Sequence, residues 1–170
     1  IAQTTPMLLG IGATMSVGIV DAYFVGQLGP DALAAIGFIF PLHVALQSLG
    51  VGVMVGINSV AARALGGQDQ ALAERRGFQG VALALVLGLA LGGALLALRT
   101  PIFRALGARV ELLPLVDAYI VPYALAFPLL VVTMGMNGVL RAQGLALRSS
   151  SILFAVAIVN WILDPVLIAG

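Results

Sequence analysis

The sequence contains no cysteine and no lysine, and only 9% of its 170 residues are charged. Without cysteine, neither a disulfide framework nor a thiolate metal site can form. A single histidine leaves almost no basis for a structural zinc site. The net charge of +1 also gives no electrostatic reason to expect nucleic-acid binding. These shortages point away from disulfide-stabilised, zinc-dependent and nucleic-acid-binding proteins.

Apolar residues dominate the chain, at 61% of the sequence with a mean hydropathy of +1.13, far above a typical soluble domain. A helix needs about 20 mainly apolar residues to cross a hydrocarbon core of about 30 Å. The apolar runs are too long for strands and rich in alanine and leucine. We therefore predict an all-α, polytopic membrane helix bundle, with spans at residues 4–28, 32–62, 78–98, 114–140 and 150–169.

The connections between these spans predict the topology. Gly29-Pro30-Asp31 separates the first two spans, and polar segments at 62–76, 99–114 and 141–148 are too charged to cross. With the N-terminus cytoplasmic, five arginines fall on the inner side and three on the outer side, which agrees with the positive-inside rule. The inner group is Arg63, Arg75, Arg76, Arg141 and Arg148, and the outer group is Arg99, Arg104 and Arg109. We predict a multi-pass protein of the inner membrane.

The N-terminal end carries no sign of a secretory signal peptide. No basic stretch precedes the first apolar run, so that run is predicted to be a membrane span. The chain begins at Ile1 and not at methionine. We therefore expect it to be an excerpt of a longer polypeptide.

Two aspartates lie inside the first and last predicted spans. A carboxylate at membrane depth costs at least about 2.5 kcal/mol on insertion scales, so such residues face a partner, a cavity or an ion path. Asp21 and Asp164 lie at similar depth in two spans that run in the same direction. Asn160 precedes Asp164 by four residues and shares its helical face. We expect these three side chains to meet between the two helices.

This cluster has the chemistry of a cation site. Two neighbouring carboxylates repel each other when both are ionised, which favours the uptake of a proton or of Na⁺. Hard cations prefer oxygen ligands, and the Asp21 and Asp164 carboxylates and the Asn160 carboxamide supply them. A purely structural polar cluster is the alternative. No other cofactor is expected, with H⁺ or Na⁺ as the coupling ion.

Other span residues have structural interpretations. Glycines such as Gly50, Gly52 and Gly56 are expected to allow close helix packing in lipid. His43 is expected to bond a carbonyl of a neighbouring helix, although a lone membrane histidine can relay protons. Asn137 is expected to bond the backbone or another helix. Four prolines, which lack a backbone N–H, predict helix kinks: Pro6, Pro41, Pro122 and Pro128.

The sequence motifs argue against an enzyme. The two aspartates stand in the contexts Val20-Asp21-Ala22 and Leu163-Asp164-Pro165, which lack the Gly-x-Gly-Asp motif of intramembrane aspartyl proteases. Neither the Gly-x-Ser-x-Gly nor the His-Glu-x-x-His pattern occurs. We predict that the protein is not an enzyme.

Four sequence blocks, taken in order, resemble the multidrug and toxic compound extrusion (MATE) family of transporters. They are DAYFVGQLGPDALAAIGF from Asp21, ARALGGQD at 62–69, NGVLRAQG from Asn137 and NWILDPVLI from Asn160. The resemblance implies the first five helices of a six-helix N-terminal lobe, in a protein of twelve helices and two lobes around a central cavity. The sixth helix and the second lobe would then be this chain's partners.

The family resemblance also assigns residues. The first-helix aspartate and the Asn-x-x-x-Asp of the fifth helix are similar to the DinF-like prokaryotic branch, which implies a cation site at Asp21, Asn160 and Asp164. Pro6 matches the proposed bending point of the first helix. Asn137 and Tyr119 match polar positions of the drug cavity; Tyr119 on its own is also consistent with an interfacial aromatic belt.

Together these observations predict a secondary active multidrug efflux antiporter that exports cationic or amphipathic organic compounds in exchange for H⁺ or Na⁺. A lipid-linked precursor flippase of the same superfamily is an alternative, although its pyrophosphate would require cations that the spans do not contain. A non-transporting membrane scaffold is a second alternative, and it predicts that the acidic cluster is dispensable.

Overall fold

The computed structural model describes residues 23, 26, 27, 29–145, 147–152, 155, 158 and 159. Three long helices make up most of this part of the chain. They are α1 (Pro30–Gly66), α2 (Gln70–Ala105) and α3 (Leu113–Ala142), with a 3₁₀ turn at Val110–Leu112 before α3. No strand occurs within those residues. Residues 35–144 form one compact unit, and the described residues on either side belong to a second. The predicted all-α class is confirmed.

Each of the three helices is long and apolar enough to cross a membrane. At about 1.5 Å per residue, α1 with its 37 residues extends well beyond a hydrocarbon core of about 30 Å. Large apolar side chains such as Phe78, Leu125 and Leu129 are exposed on the helix surfaces. Such surfaces suit lipid or further helices, and the chain is part of a multi-pass membrane protein.

The polar segment 62–76, expected as a connection, is mostly helical. Only residues 67–69 interrupt it, where Gln68 adopts a positive φ of 59°. Asp69 then caps α2, because its side chain accepts a hydrogen bond from the Leu72 N–H at 2.8 Å. The segment at 99–114 likewise remains helical to Ala105. Charge excludes these residues from the lipid core but does not prevent a helix from continuing into water. The predicted spans 4–28 and 150–169 lie largely outside the described residues.

The α2–α3 pair packs closely through two glycines. A Cβ added at Gly88 would lie 2.6 Å from the Pro128 Cα, and one at Gly92 would lie 2.6 Å from the Ala124 carbonyl oxygen. Pro128 has no N–H to donate to the Ala124 carbonyl four residues earlier. That carbonyl lies instead against the glycine face of α2. Helices α2 and α3 are antiparallel, because residue numbers that increase along α2 contact residue numbers that decrease along α3.

Helix α1 completes a three-helix core. The Met54 carbonyl oxygen lies against Gly138 of α3, and the Ile57 side chain lies against Gly80 of α2. Gly50, one of the three glycines expected to allow close packing, is buried against Met134. The other two, Gly52 and Gly56, have no atom of the described chain within 4 Å of an added Cβ. The packing prediction therefore holds for Gly50 only among these three.

One ion pair joins α2 to α3 close to their connection. The Arg99 Nε donates to the Asp117 Oδ1 at 3.0 Å, and the Arg99 guanidinium also donates to the Leu96 carbonyl. Both side chains are roughly one-third exposed or more. Solvent therefore weakens the attraction, and the pair fixes geometry more than it adds stability.

We expect Asp117→Asn to lower the free energy of unfolding by no more than about 1 kcal/mol, as for other exposed pairs. Thermal unfolding of the full-length protein in detergent measures this, with Glu111→Gln as a control carboxylate in the same region of the chain. A loss of unfolding free energy several times larger than this, and unaffected by salt concentration, would contradict the assignment of a weak, solvent-screened pair.

Candidate functional site

The described chain contains two of the predicted site residues, Tyr119 and Asn137, both on α3. Asp21, Asn160, Asp164 and Pro6 lie outside the described residues, so the predicted cation site and bending point remain predictions. Within the described residues, no cluster of three or more histidine, aspartate or glutamate side chains could hold a metal ion.

Tyr119 begins a row of three aromatic rings on one face of α3. Tyr119, Tyr123 and Phe127 follow each other at intervals of four residues, which places them on adjacent turns. The Tyr119 and Tyr123 ring centroids are 6.3 Å apart with nearly parallel planes, and those of Tyr123 and Phe127 are 5.9 Å apart. Phe127 is buried, while both tyrosines are half-buried. The exposed parts of the two tyrosine rings can contact flat or cationic organic groups, whereas the buried Phe127 supports the row from the core.

His43 of α1 faces this aromatic row. Its ring centroid lies 5.1 Å from that of Tyr123, with the two planes tilted by 42°. Beside the pair is a cavity of about 130 Å³, whose wall includes Gln47 and Met134. The bond from His43 to a neighbouring carbonyl remains a prediction, while the ring contact with Tyr123 was not anticipated. Tyr123 and Phe127 were also missed, although their four-residue spacing from Tyr119 is visible in the sequence.

Asn137 is buried, and its Nδ2 donates to the Thr133 carbonyl at 3.0 Å. The expected backbone bond is therefore present. This bond uses one donor of the side chain, whose carboxamide also carries an acceptor oxygen. The next residue, Gly138, lies against the Met54 carbonyl, so Asn137 stands beside a close contact between α1 and α3.

Tyr119 and Asn137 share one face of α3 at very different depths. They are 18 residues apart, which is five helical turns and about 27 Å along the axis. A drug-sized molecule cannot touch both side chains at once. If both line one cavity, that cavity runs along most of the helix, with aromatic rings at one end and a carboxamide at the other.

Comparison with known proteins identifies relatives of this chain. The MatE family model matches residues 6–166. The FAD transporter of Shewanella oneidensis is 34% identical over 168 residues, covering 99% of this chain and 37% of that protein. The multidrug export protein MepA of Staphylococcus aureus is 30% identical over 166 residues, covering 97% and 37% respectively.

Solved structures give the same result for the fold. A crystal structure of MATE in complex with MaD5 superimposes with a TM-score of 0.93 at 29% identity, covering 98% of this chain and 38% of that one. The chain thus spans a little more than a third of the length of these relatives. The matched relatives are transporters and not enzymes, in agreement with the prediction from the sequence.

Proposed function

The chain belongs to the MatE family of membrane transporters, and from this premise we propose that it forms five helices of the N-terminal lobe of a secondary multidrug antiporter. The family match over residues 6–166 is the observation that carries the proposal. The three membrane-length helices of the described chain support it. The complete transporter would lie in the inner membrane with a cytoplasmic N-terminus, consistent with the arginine distribution.

We infer that the exported compounds are cationic or amphipathic. The apolar stretches at 32–62, 77–98 and 118–140 contain neither lysine nor arginine, so they offer no positive charge to an anionic substrate. The half-buried rings of Tyr119 and Tyr123 suit the opposite charge, because a cation is attracted to the face of an aromatic ring. The same lack of cations disfavours a pyrophosphate-bearing lipid precursor.

Export of a flavin nucleotide is a second candidate. It rests on the 34% identity to the FAD transporter over 99% of this chain. A flavin ring could stack on the aromatic row, but its diphosphate would need a positive partner from elsewhere in the complete protein. Parallel efflux assays with FAD and with a fluorescent organic cation separate the two candidates.

The coupling ion is proposed to bind at Asp21, Asn160 and Asp164, with bending of the first helix at Pro6. The experiment is drug efflux by the full-length protein in vesicles, under an imposed H⁺ gradient or an imposed Na⁺ gradient. We expect one of the two gradients to drive export in the absence of the other. Export that responds to neither gradient, or no export of any organic cation, would overturn the antiport proposal.

Tyr119 provides a test of the aromatic row. We expect Tyr119→Ala to raise the drug concentration for half-maximal efflux by about threefold or more, since a cation–ring contact is worth about 0.5–1 kcal/mol. Tyr119→Phe keeps the ring and is expected to retain most of the affinity. Phe40→Ala, which removes an exposed ring from α1, is the matched control. An equal rise in the drug concentration for half-maximal efflux in Tyr119→Ala and Phe40→Ala would argue against a substrate contact at Tyr119.

A further inference from the structure

A second, larger cavity lies where the end of α1, the beginning of α2 and the end of α3 meet. We call it the end groove. Its volume is about 470 Å³, within the range of small-molecule sites. Its wall is mainly apolar and includes Phe78, Val81 and Met136, and three polar side chains stand among them: Gln70, Glu74 and Gln143. It lies at the opposite end of the helices from Tyr119.

The charge of this wall has one sign. Glu74 is the only ionisable residue among those that line the end groove, although arginines stand next to it in the sequence. The Gln70 Nε2 donates to the Glu74 Oε1 at 3.3 Å, which holds the carboxylate while using one of its two oxygens. Four arginines, Arg63, Arg75, Arg76 and Arg141, also lie towards this end of the helices, but none of them lines the groove. A positively charged group gains both a carboxylate and amide oxygens.

The position of Glu74 matches an amphipathic ligand. Glu74 lies one turn before the uncharged stretch that begins at Gly77, so it stands at the boundary between water and lipid. Phe78 is one turn further on the same face of α2 and is exposed. Gly77 adds no side chain to the wall here, and the Val139 side chain lies 3.4 Å from the position of a Cβ at Gly77. A ligand with an apolar body and a charged tip fits this arrangement.

We propose that the end groove binds lipophilic organic cations, with their charge at Glu74 and their apolar body against Phe78 and Met136. This inference rests on the proposed function for its ligand class but assigns a site distinct from the predicted cluster of Asp21, Asn160 and Asp164. With the N-terminus cytoplasmic, the end groove faces the inner boundary of the membrane. There it would collect compounds before they reach the central cavity.

The test is equilibrium binding of tetraphenylphosphonium to the purified full-length protein in detergent. The measurement is made in an Asp21→Asn, Asp164→Asn background, which removes the predicted central carboxylates. Tetraphenylborate, which has the same shape and the opposite charge, is the matched ligand control. We expect tetraphenylphosphonium to bind and Glu74→Gln to weaken it by about fivefold, as for a partly solvated charge pair. Glu111→Gln is the control carboxylate, outside the groove.

A second pair of variants tests the apolar wall without changing charge. Phe78→Ala is expected to weaken binding by about threefold, while Phe40→Ala leaves it unchanged. Equal binding of the two probes, no effect of Glu74→Gln, or a co-purified phospholipid that the cation cannot displace would each overturn the proposal. Binding needs no gradient, so a Glu74-dependent site in a protein that exports nothing would retain the end groove while the antiport function fails.

Discussion

Gly92→Leu is expected to separate α2 from α3 and to prevent stable folding of the lobe. The position of a Cβ at Gly92 lies 2.6 Å from the Ala124 carbonyl oxygen, a backbone atom that cannot rotate away. Overpacking of a core costs about 1–3 kcal/mol even where side chains can adjust, and here the helix itself must move. Gly88→Leu meets the Pro128 backbone in the same way and should have a similar effect.

Gly93→Leu is the matched control for this prediction. Gly93 adjoins Gly92 in the sequence, is exposed, and has no atom of the described chain within 4 Å of an added Cβ. The same substitution there should leave folding intact. The fraction of monodisperse protein that survives heating in detergent measures both variants. If Gly92→Leu and Gly93→Leu survive equally, the close contact of α2 with α3 is not important for stability.

Much of the fold could be predicted from hydropathy alone, because lipid imposes a simple length rule on apolar runs. The rule predicts a span at 32–62, and the observed helix α1 is Pro30–Gly66. It fails at the helix ends. Arg99 lies within α2, and Glu74 lies in its second turn. Hydropathy detects where lipid stops, whereas capping residues such as Asp69 decide where a helix begins.

Which helix faces meet was harder to predict. The glycines at 88 and 92 and the proline at 128 are visible in the sequence, but no pattern within α2 indicates that its glycines face Pro128. His43 and Tyr123 are even further apart in the sequence, so their ring contact follows only from the packing of α1 on α3. The hydrogen bond of Asn137 was easier to predict, because its partner, Thr133, lies one turn away on the same helix. Local bonds can be predicted from spacing, and contacts between helices require the fold.

The largest functional effect is expected at the two span aspartates. If Asp21 and Asp164 bind the coupling ion, Asp21→Asn and Asp164→Asn should each reduce coupled export at least tenfold, since a charge-assisted contact is worth about 1.5–3 kcal/mol. The proteins should still fold and insert, because removal of a carboxylate from the membrane eases insertion. Asp117→Asn, which changes a paired carboxylate near the start of α3, is the control and should retain export.

The dependence of drug binding on pH distinguishes coupling from a structural role. Protonation removes the negative charge that attracts a cationic drug, so the affinity of the wild-type protein should fall as the pH is lowered from about 8.5 to about 5, through the range in which neighbouring carboxylates take up protons. Asp21→Asn has one fewer proton-binding group and should show a weaker dependence. The measurement is made in detergent without a gradient, so only binding is observed. A flat profile for the wild type, or the same profile in Asp21→Asn, would exclude Asp21 as the proton-linked group, and normal resistance conferred by both variants would leave the scaffold interpretation in its place.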